Sequence, residues 1–288
     1  MKKILLVDGM ALLFRSFYAT SVHGNYMKTS EGVPTNGVHG FLKHMLTAIQ
    51  TVNPSHVIAC WDMGSSTFRT ESFSDYKANR NAPPDELKPQ FDLVKSVTDG
   101  LEIPNVGLAG YEADDCIGTL ACQYKQEAEV IILTGDTDLL QLADENVTIM
   151  LLRKGLGNYE FYTPTRIVEE KGVSPSQIID VKALMGDSSD NYPGVKGIGE
   201  KTAYSLIQKF SSIEGILTNL PLLTKAQRTK IEGDLDNLHM SRQLARIHCE
   251  VPVCCTLEDA LLTADKQQIT RIVKEMEWSR SEQFLVLL

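Results

Sequence analysis

Three short apolar runs, Ile4-Leu5-Leu6-Val7, Val57-Ile58-Ala59-Cys60-Trp61 and Val130-Ile131-Ile132-Leu133, constrain this chain more than anything else in it. Each is continuous rather than alternating, the pattern of a strand buried on both faces. Each also ends in acid. The first stops at Asp8-Gly9, the second at Asp62, and the third runs into Thr134-Gly135-Asp136-Thr137-Asp138. Residues 147–152 supply a fourth run. Between them lie segments with helical spacing: Val38, Phe41, Leu42, Met45, Leu46 and Ile49, then Phe91, Val94 and Val97, then Ala113, Ile117, Leu120 and Tyr124. Strands separated by helices imply right-handed βαβ crossovers, so the predicted fold is α/β with a mostly parallel central sheet flanked by helices. Open α/β sheets place their ligands at the carboxyl ends of the strands. That topology brings Asp8, Asp62, Asp136 and Asp138 to one rim, with a helix opening at Glu112 beside them.

The stretch Tyr111-Glu112-Ala113-Asp114-Asp115 holds three carboxylates in four positions. Alone it reads as an acidic helix start, where unpaired backbone N–H groups favour anions. Asp187 and Asp190 add a further pair before a Gly-rich hairpin. So many acids at element ends suggest a pooled negative site, tolerable only around cations. The formal net charge is −9, and those nine carboxylates account for it by themselves, so net charge leaves the partner undecided. With 43% apolar and 23% charged residues in 288, the chain reads as an ordinary soluble protein. No stretch approaches the ~20 apolar residues of a membrane span, and a cytoplasmic, nucleoid-associated protein is the expectation. The six cysteines form no CxxC pair and read as thiols rather than disulfides or zinc ligands.

Residues 66–90 are polar and at first basic, with Phe68, Arg69, Phe73, Tyr76, Lys77 and Arg80 before Pro83-Pro84. Long connections without a core-facing stripe are functional lids or disordered. Aromatics interleaved with Arg and Lys suit single-stranded nucleic acid, rings stacking on bases while cations track phosphates. Composition shifts near residues 153–163, giving a predicted α/β domain at 1–163 and a largely helical one at 164–288. In the second, Pro193-Gly194-Val195-Lys196-Gly197-Ile198-Gly199-Glu200-Lys201-Thr202-Ala203 forms a tight turn opening a helix, within a helix-hairpin-helix at about 178–210. Free N–H groups at a helix N-terminus, with Lys196 and Lys201, grip a phosphate without reading sequence.

Together these motifs resemble the bacterial 5′ nucleases of the flap endonuclease/5′-3′ exonuclease superfamily, over roughly residues 2–250. They are similar to the 5′-nuclease domain at the start of bacterial DNA polymerase I, here standing alone. The carriers are Leu6-Val7-Asp8-Gly9, Trp61-Asp62, Phe68-Arg69 with Tyr76-Lys77-Ala78-Asn79-Arg80, the 111–115 and 134–138 acids, and Gly186-Asp187-Ser188-Ser189-Asp190-Asn191 with its hairpin. The resemblance implies a PIN-like nuclease fold with two Mg²⁺ ions, Mn²⁺ substituting. Asp8, Asp62, Glu112, Asp114 and Asp115 correspond to the acids of one ion, and Asp136, Asp138, Asp187 and Asp190 to those of the other. It makes residues 66–90 a helical arch passing the free 5′ strand. The hairpin becomes a helix-three-turn-helix that holds duplex backbone and can carry K⁺. Lys77 and Arg80, with Arg15 behind them, are implied to stabilise the scissile phosphate. Arg69, Tyr76, Lys77, Arg80, Gly194, Lys196, Gly197, Gly199, Lys201 and Thr202 are implied to contact DNA, Tyr76 by stacking on the terminal base.

The function so implied is a monomeric, Mg²⁺-dependent 5′-3′ exonuclease and flap endonuclease. It would cut DNA flaps, nicked or gapped duplexes and RNA-primed ends during replication and repair, with a polymerase acting in trans. Two alternatives stay open on the residues alone. A PIN-like ribonuclease would keep the metal site, and a non-catalytic structure-specific DNA-binding protein would keep the fold.

Overall fold

The computed structural model describes residues 2–21, 24, 26–279 and 282–287. Its centre is a six-stranded sheet in the order β3-β2-β1-β4-β5-β6. The strands are β1 (Lys2–Asp8), β2 (His56–Cys60), β3 (Asn105–Val106), β4 (Ala128–Thr134), β5 (Val147–Leu152) and β6 (Tyr159–Tyr162). The first five pair in parallel and β6 runs antiparallel along β5. The antiparallel edge strand β6 and the two-residue β3 are additions to the strands expected from the sequence. Neither carries an apolar run: β6 is Tyr-Glu-Phe-Tyr, half-exposed at the sheet edge.

Successive residues of a strand face opposite layers, and β1 shows the consequence directly. Ile4 and Leu6 enter one core with Ile58, Ile117, Leu120 and Ile132. Leu5 and Val7 enter the other with Phe17, Phe41, Leu46 and Trp61. The second layer is α1 (Gly9–Thr20), α2 (Asn36–Val52) and α4 (Gln90–Gly100), joined by α12 (Lys266–Glu275) through Ile269 and Ile272. The first layer is α5 (Ala113–Tyr124), which continues into a helical region of α7 (Ile178–Met185), α8 (Glu200–Phe210) and α11 (Leu235–Ala245). Hydrophobic packing is therefore continuous from the sheet into the helices.

β1 is the switch point of this topology, with β2 on one side and β4 on the other. A crevice opens at such a point beyond the strand ends. Between β2 and α4, α3 (Phe68–Ser72) is the one helix, and residues 73–89 hold only turns and extended chain. That segment does not drift free. Lys77 N donates to Asp190 O at 2.9 Å, Asn79 Nδ2 to Ser188 O at 2.7 Å, and Asn191 Nδ2 to Asp75 O at 2.7 Å.

Candidate active site

Each carboxylate in the crevice is placed by an element end. Asp8 closes β1 and caps α1: its Oδ1 accepts from Ala11 N at 3.0 Å and its Oδ2 from Thr134 Oγ1 at 2.7 Å. Thr134, the last residue of β4, thus ties two adjacent strand ends together. Asp62, just past β2, accepts from Ala113 N at 2.7 Å and draws the start of α5 to the sheet rim. Glu112 caps α5 in a reciprocal box, its backbone N–H donating to Asp115 Oδ2 at 3.0 Å. Asp8, Asp62, Glu112, Asp114 and Asp136 then line one cleft of about 210 Å³, faced by Lys77 and Arg80. Met10 and Phe14 form part of its apolar wall.

Burial, reinforced by neighbouring charge, makes Asp8, Asp62 and Asp114 reluctant to ionise. Burial, with the nearby Asp62 and Asp136 charges, pushes Asp8 up to about 7 against the hydrogen bonds from Ala11 and Thr134. Burial likewise raises Asp62, and burial plus the Asp8 and Asp136 charges carry Asp114 well above the carboxylate range. Oxygen donors held together at such mutual repulsion suit a hard divalent cation. Among the described residues no three His, Cys, Asp or Glu side chains close into a ready-made cage. The acids line an open cleft instead, as a catalytic ion needs if substrate is to reach it.

A second group sits behind the first. Asp138, Asp187 and Asp190 each carry a cation. Lys182 Nζ lies 2.6 Å from Asp138 Oδ1 and 2.5 Å from Asp187 Oδ2, and Arg80 Nη2 lies 2.5 Å from Asp190 Oδ1. Despite its burial, Asp187 is held down to about 2 by Lys182 and Ser189. Burial and the Asp136 charge outweigh Lys182 at Asp138 and push it up to about 7. Lys77 bridges the two groups at 2.5 Å from Glu112 and 4.0 Å from Asp190. Against the burial that would discharge it, those two carboxylates hold its ammonium above the ordinary lysine value. Lys182 was not among the sequence candidates. It sits mid-helix in α7, and only the fold shows that it points back at acids.

Four expected roles are revised by this geometry. Arg69 is 2% exposed and cannot meet DNA. Its guanidinium bonds both oxygens of Asp115, at 2.7 and 2.8 Å, together with Glu112 and the Leu244 and Arg246 carbonyls. Asp115, wholly buried, also accepts from Glu112 N and His248 N, so it is a structural counter-ion rather than a metal ligand. Tyr76 is 4% exposed, too enclosed to stack on a base, and its hydroxyl donates towards Glu112 and Asp190 instead. Arg15 lies outside the cleft lining and donates to the Arg153 carbonyl.

The hairpin is built as its glycines require. Gly194 and Gly197 have positive φ, and Gly199 caps α8 with no side chain to block the helix end. Lys196, Lys201 and Gly199 are exposed there, and Thr202 is half-exposed. Lys230 Nζ donates to Gly197 O at 2.8 Å, so an ammonium already meets this carbonyl and no potassium ion is assigned to it. A Cβ on Gly194 would press on Gly186 N and stand 2.7 Å from the Met185 carbonyl carbon. Gly194→Ala is therefore expected to cost about 1–3 kcal/mol, read as a lower denaturant midpoint, and to weaken duplex binding in a gel-shift titration.

Comparison with known proteins covers nearly the whole chain. The family profile described as the N-terminal resolvase-like domain of 5′-3′ exonucleases matches residues 3–172, and that of their C-terminal SAM fold matches residues 173–268. The chain belongs to the 5′-3′ exonuclease family. It is 58% identical over 283 residues to a 5′-3′ exonuclease of Bacillus subtilis (strain 168), covering 98% of this chain and 96% of that one. It is 38% identical over 287 residues to DNA polymerase I of Streptococcus pneumoniae (strain R6), covering 99% of this chain and 33% of the polymerase. The chain thus spans about a third of that relative's length. The fold is that of the crystallised bacteriophage T5 flap endonuclease in a pseudo-enzyme-product complex with DNA and metal ions. TM-score is 0.69 at 21% identity, over 99% of both chains. In this 5′-3′ exonuclease family member, the acidic cleft lies at the sheet's switch point, where both strand ends and α5 converge.

Proposed function

We propose that this chain is a divalent-metal-dependent 5′ nuclease that hydrolyses phosphodiester bonds at DNA 5′ flaps, nicked or gapped duplexes and RNA-primed ends. The observation that carries the reading is a single cleft in which five carboxylates meet Lys77 and Arg80. Asp8, Asp62, Glu112 and Asp114 would hold Mg²⁺, or Mn²⁺ in its place, joined by Asp136, which the resemblance assigns to the second ion but which lines this same cleft; Asp138, Asp187 and Asp190 would hold a second ion. When bound, such a pair lowers the pKa of water and stabilises the departing oxygen.

The chain's own residues do the rest. Lys77 and Arg80 project from the 73–89 segment over the same carboxylates, where a phosphate brought between them and the acids would find two cations. Glu112 and Asp190 keep Lys77 charged and oriented. Gly194, Val195, Lys196 and Ile198 donate their N–H groups within the protein, so the hairpin would meet the duplex backbone through its exposed Gly197, Gly199, Lys196 and Lys201, with no sequence preference. Delivery of products to a polymerase in trans belongs to the same proposal, as does a cytoplasmic, nucleoid-associated location.

The test compares a nicked DNA duplex with single-stranded RNA of equal length in Mg²⁺. Duplex cleavage at least about tenfold faster, with 5′-phosphate products, is expected from the use of the hairpin. Equal or faster RNA cleavage would move the reading to a ribonuclease.

The metal reading also sets a pH dependence. An acid whose folded pKa lies above its unfolded value stabilises the native state fully below the unfolded value. For Asp8 and Asp138 that contribution is lost as pH rises from 3.8 through about 7. The metal-free protein is therefore expected to melt at lower temperature as pH climbs across that window. Mg²⁺ should restore more stability above pH ~7 than below pH ~5, where protons compete with it. Melting curves in EDTA and in Mg²⁺ across pH check both signs.

A further inference from the structure

The segment after α11 runs as a strap along α5. His248 N donates to Asp115 Oδ1 at 2.8 Å and Val251 N to Thr119 Oγ1 at 3.0 Å, so successive turns of the helix each hold one strap amide. Between those anchors Cys249 turns its thiol onto the helix. Its Sγ lies 3.1 Å from the point that a Cβ on Gly118 would occupy, so the missing side chain there lets sulfur rest against α5. Cys122 stands one turn further along the same row, where Cβ positions four residues apart are about 5–6 Å from each other. The two thiols meet, Cys249 donating a hydrogen bond to the Cys122 sulfur. From that contact, side-chain rotation and a small shift of the strap bring the sulfurs to the bonding distance of about 2 Å.

The pair is also open to reagents. Cys122 is exposed, and Cys249 lines an open cleft of about 740 Å³ with Arg246 and Glu250. Cys60 and Cys116, by contrast, are 0% exposed within the core. At Cys122 the hydrogen bond from Cys249 outweighs burial and, with the Lys125 ammonium, brings the thiol down to about 6. Much of it is thiolate at neutral pH, the form that attacks oxidants.

We propose that Cys122 and Cys249 are a redox-responsive pair whose disulfide fastens the 246–251 strap to α5 when the protein meets hydrogen peroxide. The Cys122 thiolate attacks one peroxide oxygen, the O–O bond breaks, and a sulfenic acid forms. The departing hydroxide takes up the proton that the thiol gave to solvent, making water. The Cys249 sulfur then attacks the sulfenic sulfur. The S–O bond breaks, the S–S bond forms, and the thiol's proton leaves with the hydroxyl as a second water. Two thiols are oxidised and one peroxide is reduced. The strap so fastened also completes the cage around a buried ion pair, since the Leu244 and Arg246 carbonyls accept from Arg69 while His248 N holds Asp115. The site lies outside the acidic cleft and does not rest on the metal reading.

The test treats the fully reduced chain with one equivalent of hydrogen peroxide in EDTA, as wild type, Cys122→Ser and Cys249→Ser. Thiols are counted in denaturant, and any disulfide is located by proteolysis and mass spectrometry without reductant. Wild type is expected to lose two of its six thiols, to join Cys122 to Cys249, and to regain both with dithiothreitol. Cys122→Ser should keep all its thiols, and Cys249→Ser should hold Cys122 as a sulfenic acid that dimedone traps. Oxidised wild type should melt about 5 °C or more above the reduced protein, because the cross-link closes a long loop of the unfolded chain. Neither variant should show that rise. Survival of all six thiols, or a disulfide between other cysteines, would overturn the pair. A Cys122–Cys249 disulfide with no rise in melting temperature would overturn the fastening of the strap.

Discussion

Asp114→Ala is expected to cut at least about a thousandfold more slowly than the wild type, a loss of about 4 kcal/mol in transition-state stabilisation. Duplex affinity should stay within about threefold, because the exposed hairpin that would hold the backbone lies on a different element. The physical ground is the position of Asp114 on the first turn of α5, inside the cleft with Asp8, Glu112 and Asp136. Its charge is disfavoured by burial and by Asp8 and Asp136, and Lys77 offsets only part of that. Retaining such a group weakens the protein unless an ion uses it. The same substitution is therefore expected to raise the melting temperature of the metal-free protein while abolishing the rise that Mg²⁺ gives the wild type. Steady-state cleavage, gel shift in Ca²⁺ and paired melting curves separate these effects. Loss of duplex binding, or a lower metal-free melting temperature, would count against Asp114 as a metal ligand.

Arg69→Met is expected to be the most destabilising substitution near the site, though Arg69 touches no substrate. It would leave Asp115 as a buried carboxylate without its cation, leave Glu112 with Lys77 alone, and leave the Leu244 and Arg246 carbonyls without their donor. Breaking a buried pair by removing one partner costs about 3–5 kcal/mol. For a chain of this size that corresponds to a melting temperature lower by about 10 °C. Arg69→Lys should recover only part of it, since an ammonium cannot reproduce the two-pronged contact with Asp115. Arg69→Met combined with Asp115→Leu should lose less than the two single changes added together, because the stranded charge is gone. A single Arg69→Met melting within about 2 °C of wild type would show that Asp115 finds other compensation.

The fold was readable where local pattern and burial coincide. Buried parallel strands must be apolar throughout, so β1, β2, β4 and β5 announce themselves, and the acids that follow β1, β2 and β4 mark the rim. The edge strand β6 has no such run, because one side of it meets solvent, and its polar-aromatic sequence looks like a turn. At the site, residue type was informative and orientation was not. Arg69 and Tyr76 stand among basic and aromatic residues that suit nucleic acid, yet both turn inward. Arg69 reaches Asp115 46 positions away and the Leu244 carbonyl 175 positions away. Tyr76 reaches Asp190 across 114 positions. Pairings that distant leave no periodic trace. Asp115 is grouped with Glu112 and Asp114 because the three are close in sequence, but a helix turns about 100° per residue, so Asp115 points away from Asp114 and, beside Glu112, meets the buried Arg69. Lys182 was missed for the converse reason: a lone lysine in an amphipathic helix reads as solvent-facing until α7 is packed beside Asp138.

The most direct measurement uses a DNA duplex bearing a labelled 5′ single-stranded flap, incubated with the protein in Mg²⁺ and in EDTA. Cleavage near the junction in Mg²⁺, none in EDTA, and none with Asp114→Ala in Mg²⁺ is the expected result. It would tie the acidic cleft to metal-dependent hydrolysis of a 5′ end. Tight binding of the flap without cleavage in either Mg²⁺ or Mn²⁺ would contradict that assignment and leave a structure-specific DNA-binding protein in its place.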